Sequence, residues 1–190
     1  MSHSINRPLL ACAAALALAG AASAQTYTWN IFLDGPSEAP PNASPGTGAA
    51  TITWNTATHM MNLNLAFSGL LGTTTASHIH AATTTPGTGT AGVATMTPSF
   101  SGFPLGVSSG SMNQTYDMSL ASSYNPSYVT AQGGLANAEA ALLAAMLNNR
   151  AYLNIHTTVV PGGEIRGFIP TPGAAAALGL GGLVAMRRRR

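Results

Sequence analysis

Apolar and polar residues alternate through residues 60–67, with Met61, Leu63, Leu65 and Phe67 on one side and Asn62, Asn64 and Ala66 on the other. A strand sends successive side chains to opposite faces, so the run predicts a strand with one face in a core and one toward solvent or a polar pocket. β-rich runs recur at residues 27–33, 49–54, 92–97 and 112–118, separated by clusters of Gly, Pro, Ser and Asn. Two more, at residues 151–157 and 163–169, are joined through Pro161 and Gly162 and predict a closing hairpin. Short runs at this spacing predict an all-β domain, an antiparallel sandwich or barrel. No internal repeat or second domain is visible.

One segment departs from the pattern. Residues 133–151 are rich in Ala, Leu, Glu and Met, with Leu135, Leu142 and Met146 near helical spacing. They predict one inserted α-helix ending near Asn148 or Asn149, packed over a sheet edge or an open end of the β domain. Asn125 followed by Pro126 suits an N-cap and first helical position, so a shorter helical turn is expected just before it.

The two ends read as addresses. Arg7, an apolar run over residues 9–22 and small residues at Ala22 and Ala24 have the layout of a secretory signal peptide over residues 1–24, cleaved by signal peptidase after Ala24. At the other end an apolar segment, residues 173–186, precedes Arg187, Arg188, Arg189 and Arg190. It predicts a C-terminal apolar helix that falls short of the roughly 20 residues a permanent span needs. The arginines would keep its end on the cytoplasmic side. With Pro170 and Pro172 ahead of it, residues 170–190 resemble a PEP-CTERM sorting segment, which implies processing by an exosortase-like protease; Thr171 stands where that motif usually has Glu.

These ends reshape the charge argument. The chain's formal net charge is +2, but Arg7 and Arg187–Arg190 lie outside the central domain, residues 25–169. That domain holds Arg150 and Arg166 against Asp34, Glu38, Asp117, Glu139 and Glu164, and no lysine. A surface that tracks phosphates needs several cations, so nucleic-acid binding is not expected. The lone cysteine, Cys12, falls within the signal segment, which leaves stability to packing.

Conventional catalytic signatures are missing. Residues 87–92, GTGTAG, have dinucleotide-type glycine spacing, but their flanks read as loop and strand where that motif needs a strand and then a helix. A serine nucleophile is not indicated, since Ser77 only neighbours His78 in sequence. The five acids are too scattered for a glycosidase pair or a calcium loop. No enzymatic activity is expected, and no cofactor is established.

The histidines are the remaining candidates. On a strand His78 and His80 project together, and in residues 151–157 Tyr152, Asn154 and His156 share one face. If those strands are neighbours, His78, His80 and His156 converge. Two readings then stay open: a hydrogen-bonded structural cluster, or a copper or zinc site with an open fourth position.

At these residues the chain resembles the CHRD domain family, named from the animal protein chordin and widespread in secreted bacterial proteins. The resemblance runs through FLDGPSEAPPNASPGTGAATI with Glu38, ASHIHAA, the helix, AYLNIHT with Asn154, and GGEIRG with Glu164 and Arg166. It implies an immunoglobulin-like β sandwich or barrel and supplies no catalytic residues. In GGEIRG the residues themselves read as a surface or sheet-end ion pair between Glu164 and Arg166; a carboxylate orienting His156 is the alternative. The expectation is an exported, non-enzymatic interaction or structural module at the cell surface or in the extracellular matrix, whose partner is a surface protein or a polysaccharide. The alternative is a periplasmic or surface copper/zinc-binding protein.

Overall fold

The structure, a computed structural model, describes residues 24–172. Seven strands make one antiparallel sheet: β1 (Thr26–Asp34), β2 (Thr47–Asn55), β3 (Met60–Ser68), β4 (Thr74–Ala81), β5 (Gly110–Asp117), β6 (Ala151–Thr157) and β7 (Ile165–Phe168). Their spatial order is β4-β6-β7-β1-β2-β3-β5, and the sheet curls into a half-barrel. The alternation that predicts β3 is realised: Met61, Leu63, Leu65 and Phe67 are buried, and they face Trp54, Ile52, Ala50 and Gly48 across the β2–β3 ladder. β1 adds Trp29, Ile31 and Leu33 to the same core.

The chain leaves β3 at one end of the sheet and enters β4 at the opposite edge. The long connection from β4 to β5 then runs back between the two edges. Phe100 N–H donates to Ser77 O of β4 (3.1 Å), while the Tyr116 hydroxyl of β5 donates to Ser101 O (2.8 Å). The hydrogen-bonding groups of β4 are therefore covered, which guards that edge against pairing with another chain.

The strand expected at residues 92–97 is not formed. The segment lies along β4 and makes only isolated bridges, His80 to Val93 and Thr95 to Tyr124. The Ile79 N–H is taken by the Thr95 side-chain hydroxyl at 2.9 Å, and a side-chain acceptor there interrupts a regular backbone ladder. Ala94 is fully buried nonetheless.

The helical region holds a 3₁₀ turn (Ala121–Ser123), α1 (Pro126–Ala131) and α2 (Leu135–Leu147). The expected short turn is thus an α-helix in its own right. Asn125 Oδ1 accepts from Ser127 N–H at 3.0 Å, as an N-cap should. Helix α2 buries Ala138, Leu142, Ala145 and Met146 and packs beside β4 and β6. It stops at Asn148, and Asn149 takes a left-handed conformation with φ 55°, which turns the chain into β6.

Among the described residues no helix is long and apolar enough to cross a membrane. The expected signal segment and the C-terminal apolar helix with Arg187–Arg190 lie outside the described residues, apart from Ala24 and residues 170–172 at their margins.

Candidate metal centre

The β4–β6 ladder decides which histidines meet. Its register pairs Ala76 with His156, His78 with Asn154 and His80 with Tyr152, so the two strands are direct neighbours. Residues opposite one another share a face, and that face therefore carries all three imidazoles, with Ile79, Leu153 and Ile155 turned into the core on the other side. Ring centroids are 5.3 Å apart for His78–His156, 5.7 Å for His80–His156 and 5.9 Å for His78–His80. One nitrogen from each ring lies within 4.8 Å of the others. His59 stands elsewhere, with its Nδ1 2.7 Å from the Glu139 carboxylate.

Two connections, β4–β5 and β6–β7, fold over this face and hold each ring by one nitrogen. His78 Nε2 lies 2.7 Å from Pro98 O, His80 Nδ1 2.9 Å from Ala91 O, and His156 Nδ1 2.9 Å from Pro161 O. A carbonyl oxygen only accepts, so each of these nitrogens must carry the proton and donate. In a neutral ring the remaining nitrogen then holds a bare lone pair. Those remaining nitrogens are His78 Nδ1, His80 Nε2 and His156 Nε2, and each is buried with no hydrogen-bond partner. Three bare lone pairs on clustered, buried imidazoles, with no donor bonded to any of them, are an arrangement that a cation completes.

Burial keeps the rings neutral. It drives the pKa of His78 and His156 below the usual imidazole value and that of His80 down to about 4, against the smaller upward pull of the carbonyls. Neutral imidazole is the form that ligates metal.

Around the cluster lies a second tier of contacts. The Tyr152 ring stacks on His80 (4.8 Å between centroids, 7° between planes), and the Arg166 guanidinium covers Tyr152's other face at 4.7 Å. Arg166 Nη1 donates to Gly89 O at 2.9 Å and its Nε donates to Ser37 O, so one side chain ties down two of the loops that surround the face. Glu38 Oε2 lies 3.8 Å from Arg166 Nε. Burial outweighs that arginine and pushes the Glu38 carboxyl up to about 7. Glu38 Oε1 and the Asn154 amide close on the same point, each within 2.7 Å of where a Cβ at Gly163 would sit.

The expected ion pair between Glu164 and Arg166 is not there, and neither residue is at the surface. Glu164 is fully buried and Arg166 is 4% exposed. The Glu164 carboxylate accepts from the Ser44 and Thr157 hydroxyls, each at 2.6 Å, and from the Leu71 and Gly72 N–H groups. Burial alone would raise its pKa; these four donors outweigh that and hold it below the usual value. It orients no imidazole. Backbone carbonyls do that work, and they carry no side-chain signature for a sequence to display.

With this geometry in place, the comparison with known families is direct. The model of the CHRD domain matches residues 29–169. The chain belongs to the CHRD domain family. Glu38, Asn154, Glu164 and Arg166, picked out by their motifs, lie on or beside the same end of the sheet in this CHRD domain, where Asn154 is the register partner of both His78 and Arg166. The chain matches no curated protein and no solved structure.

Proposed function

We propose that this CHRD domain is an exported, non-enzymatic module of the cell surface or extracellular matrix that binds one transition-metal ion, copper or zinc, through His78, His80 and His156. The observation that carries the reading is a set of three imidazoles that can each offer a nitrogen within 4.8 Å of the others, each with one buried, unpartnered ring nitrogen and a tautomer fixed by a carbonyl. Ligand-grade imidazoles are held in this way, by hydrogen bonds at the nitrogen that does not ligate. A purely structural histidine cluster would use those nitrogens to bond one another or the backbone. These do neither.

The proposal takes its export from the ends of the sequence, a signal peptide removed after Ala24 and a PEP-CTERM-like segment processed by an exosortase-like protease. Support for a surface role also comes from the composition of the exposed sheet. Across β1, β2, β3 and β5 the two central outward rows read Asn30, Thr51, Asn64, Asn113 and Thr28, Thr53, Asn62, Thr115, uncharged, with Asp34 and Asp117 in the rows at the two ends of this face. Such a surface suits contact with neutral polymers or other surface proteins better than the steering of a charged ligand.

The test is thermal unfolding of the full chain with copper or zinc and again with a chelator. Binding to the folded state raises the midpoint by mass action. A midpoint indifferent to metal and chelator contradicts the proposal.

A further inference from the structure

The charge inventory around the three histidines says which ion they suit. All three ligands are neutral imidazoles, and the groups that accept from their N–H donors are neutral backbone carbonyls of Pro98, Ala91 and Pro161. Among the described residues no carboxylate accepts from any of the three rings. Glu164 is committed to Ser44, Thr157, Leu71 and Gly72. Glu38 turns Oε2 toward Arg166 and Oε1 toward the Asn154 amide and bonds none of the rings, and Asp34 lies opposite Arg166 on β1, three strands from His78. The formal charge stacked nearest is positive, the Arg166 guanidinium, one tyrosine ring away from His80.

A divalent ion here would bring two uncompensated charges into a largely buried place. The desolvation cost of an ion grows with the square of its charge, so a divalent ion pays about four times what a monovalent ion of similar size does. Two outcomes satisfy the electrostatics. One is a monovalent transition-metal ion that accepts imidazole nitrogen, which among biological metals is cuprous copper. The other is a divalent ion that carries a small anion into the open fourth position beside His156, the most exposed of the three residues.

Resting on the metal-binding reading above, we infer that the site is selective by charge: it holds Cu(I) with no added ligand, and it holds Zn²⁺ tightly only when a small anion such as azide or chloride binds with it. Selection is then made by an absence of carboxylates around the ligands, and Arg166 reinforces it.

The experiment is a pair of competition titrations on the full chain, kept anaerobic. Cu(I) is measured against a chromogenic cuprous chelator and Zn²⁺ against a chromogenic zinc chelator, each in chloride-free buffer and again with azide. The expected result is that azide tightens Zn²⁺ by more than about tenfold, equivalent to about 1.4 kcal/mol, and leaves Cu(I) unchanged. Ala76→Asp places a carboxylate opposite His156 at a half-buried position and should tighten Zn²⁺ without azide, removing most of the anion effect. Tight Zn²⁺ binding that ignores azide overturns the inference and leaves metal binding standing. Failure of both metals to bind the wild-type chain overturns metal binding itself, and the inference with it.

Discussion

His78 and His156 stand on adjacent strands with ring centroids 5.3 Å apart, yet no hydrogen bond joins them. Each ring instead donates outward to a loop carbonyl, Pro98 O for one and Pro161 O for the other, and leaves its inward nitrogen bare. The fold thus orders two imidazoles at close range without letting them satisfy one another. From this arrangement follows a set of measurable consequences.

Acidification should destabilise the metal-free protein. Burial lowers the folded-state pKa of His78, His80 and His156 below 6.5, with His80 at about 4, so the unfolded chain binds more protons between those values. The contribution is present in full above pH 6.5 and is lost as pH falls toward about 4. Each unit of separation is worth about 1.4 kcal/mol. Glu38 has the opposite sign. Its carboxyl is raised from 4.5 to about 7, so it costs stability as pH rises through that window and flattens the net profile. Urea midpoints measured with chelator present should fall with pH in the wild type and fall more steeply in Glu38→Gln. Coincident, flat profiles would contradict the burial of these groups.

Removing the Glu164 carboxylate should be costly for the fold. Glu164→Ala strands two hydroxyls and two backbone N–H groups that now donate to it, and the expected loss is at least about 3 kcal/mol. Glu164→Gln keeps one acceptor and should lose less. Denaturant unfolding reads both. A loss under about 1 kcal/mol for the alanine variant would show that the carboxylate is not the hub described.

Gly163→Ala should couple stability to the metal site. Gly163 has φ 130°, a conformation side chains rarely adopt, and an added Cβ would meet the Asn154 amide and Glu38 Oε1 at 2.7 Å or less. The strain is worth about 1–3 kcal/mol and falls on the loop that carries Pro161 O to His156. Lower stability together with weaker metal binding is expected. Unchanged metal affinity in a destabilised variant would mean that Pro161 does not hold His156 in place.

Much of this protein was legible because alternation is a strong signal. The residues that predict β3 are the ones buried against β2, and Asn125, Asn148 and Asn149 mark helix ends where they occur. The shared face of His78 and His80 follows from strand geometry, and convergence with His156 needed only that β4 and β6 be neighbours, which they are. Residues 92–97 misled because Ala94 is buried like a strand residue while Thr95 breaks the ladder with its side chain. Glu164 and Arg166 misled for a different reason. Two charges of opposite sign at i and i+2 suggest a pair, but each is satisfied by groups far away in sequence, Ser44 and Leu71 for one and Ser37 and Gly89 for the other. Contacts of that kind, and the carbonyls that fix the imidazole tautomers, exist only once the loops are folded down.

The most direct test is metal stoichiometry. The full chain, stripped with chelator, reloaded with copper or zinc and freed of excess, should retain one ion per chain by elemental analysis, and His78→Ala and His156→Ala should each reduce that to a small fraction. Substoichiometric metal in the wild type, or retention that neither substitution changes, would contradict the assignment of His78, His80 and His156 as a metal site.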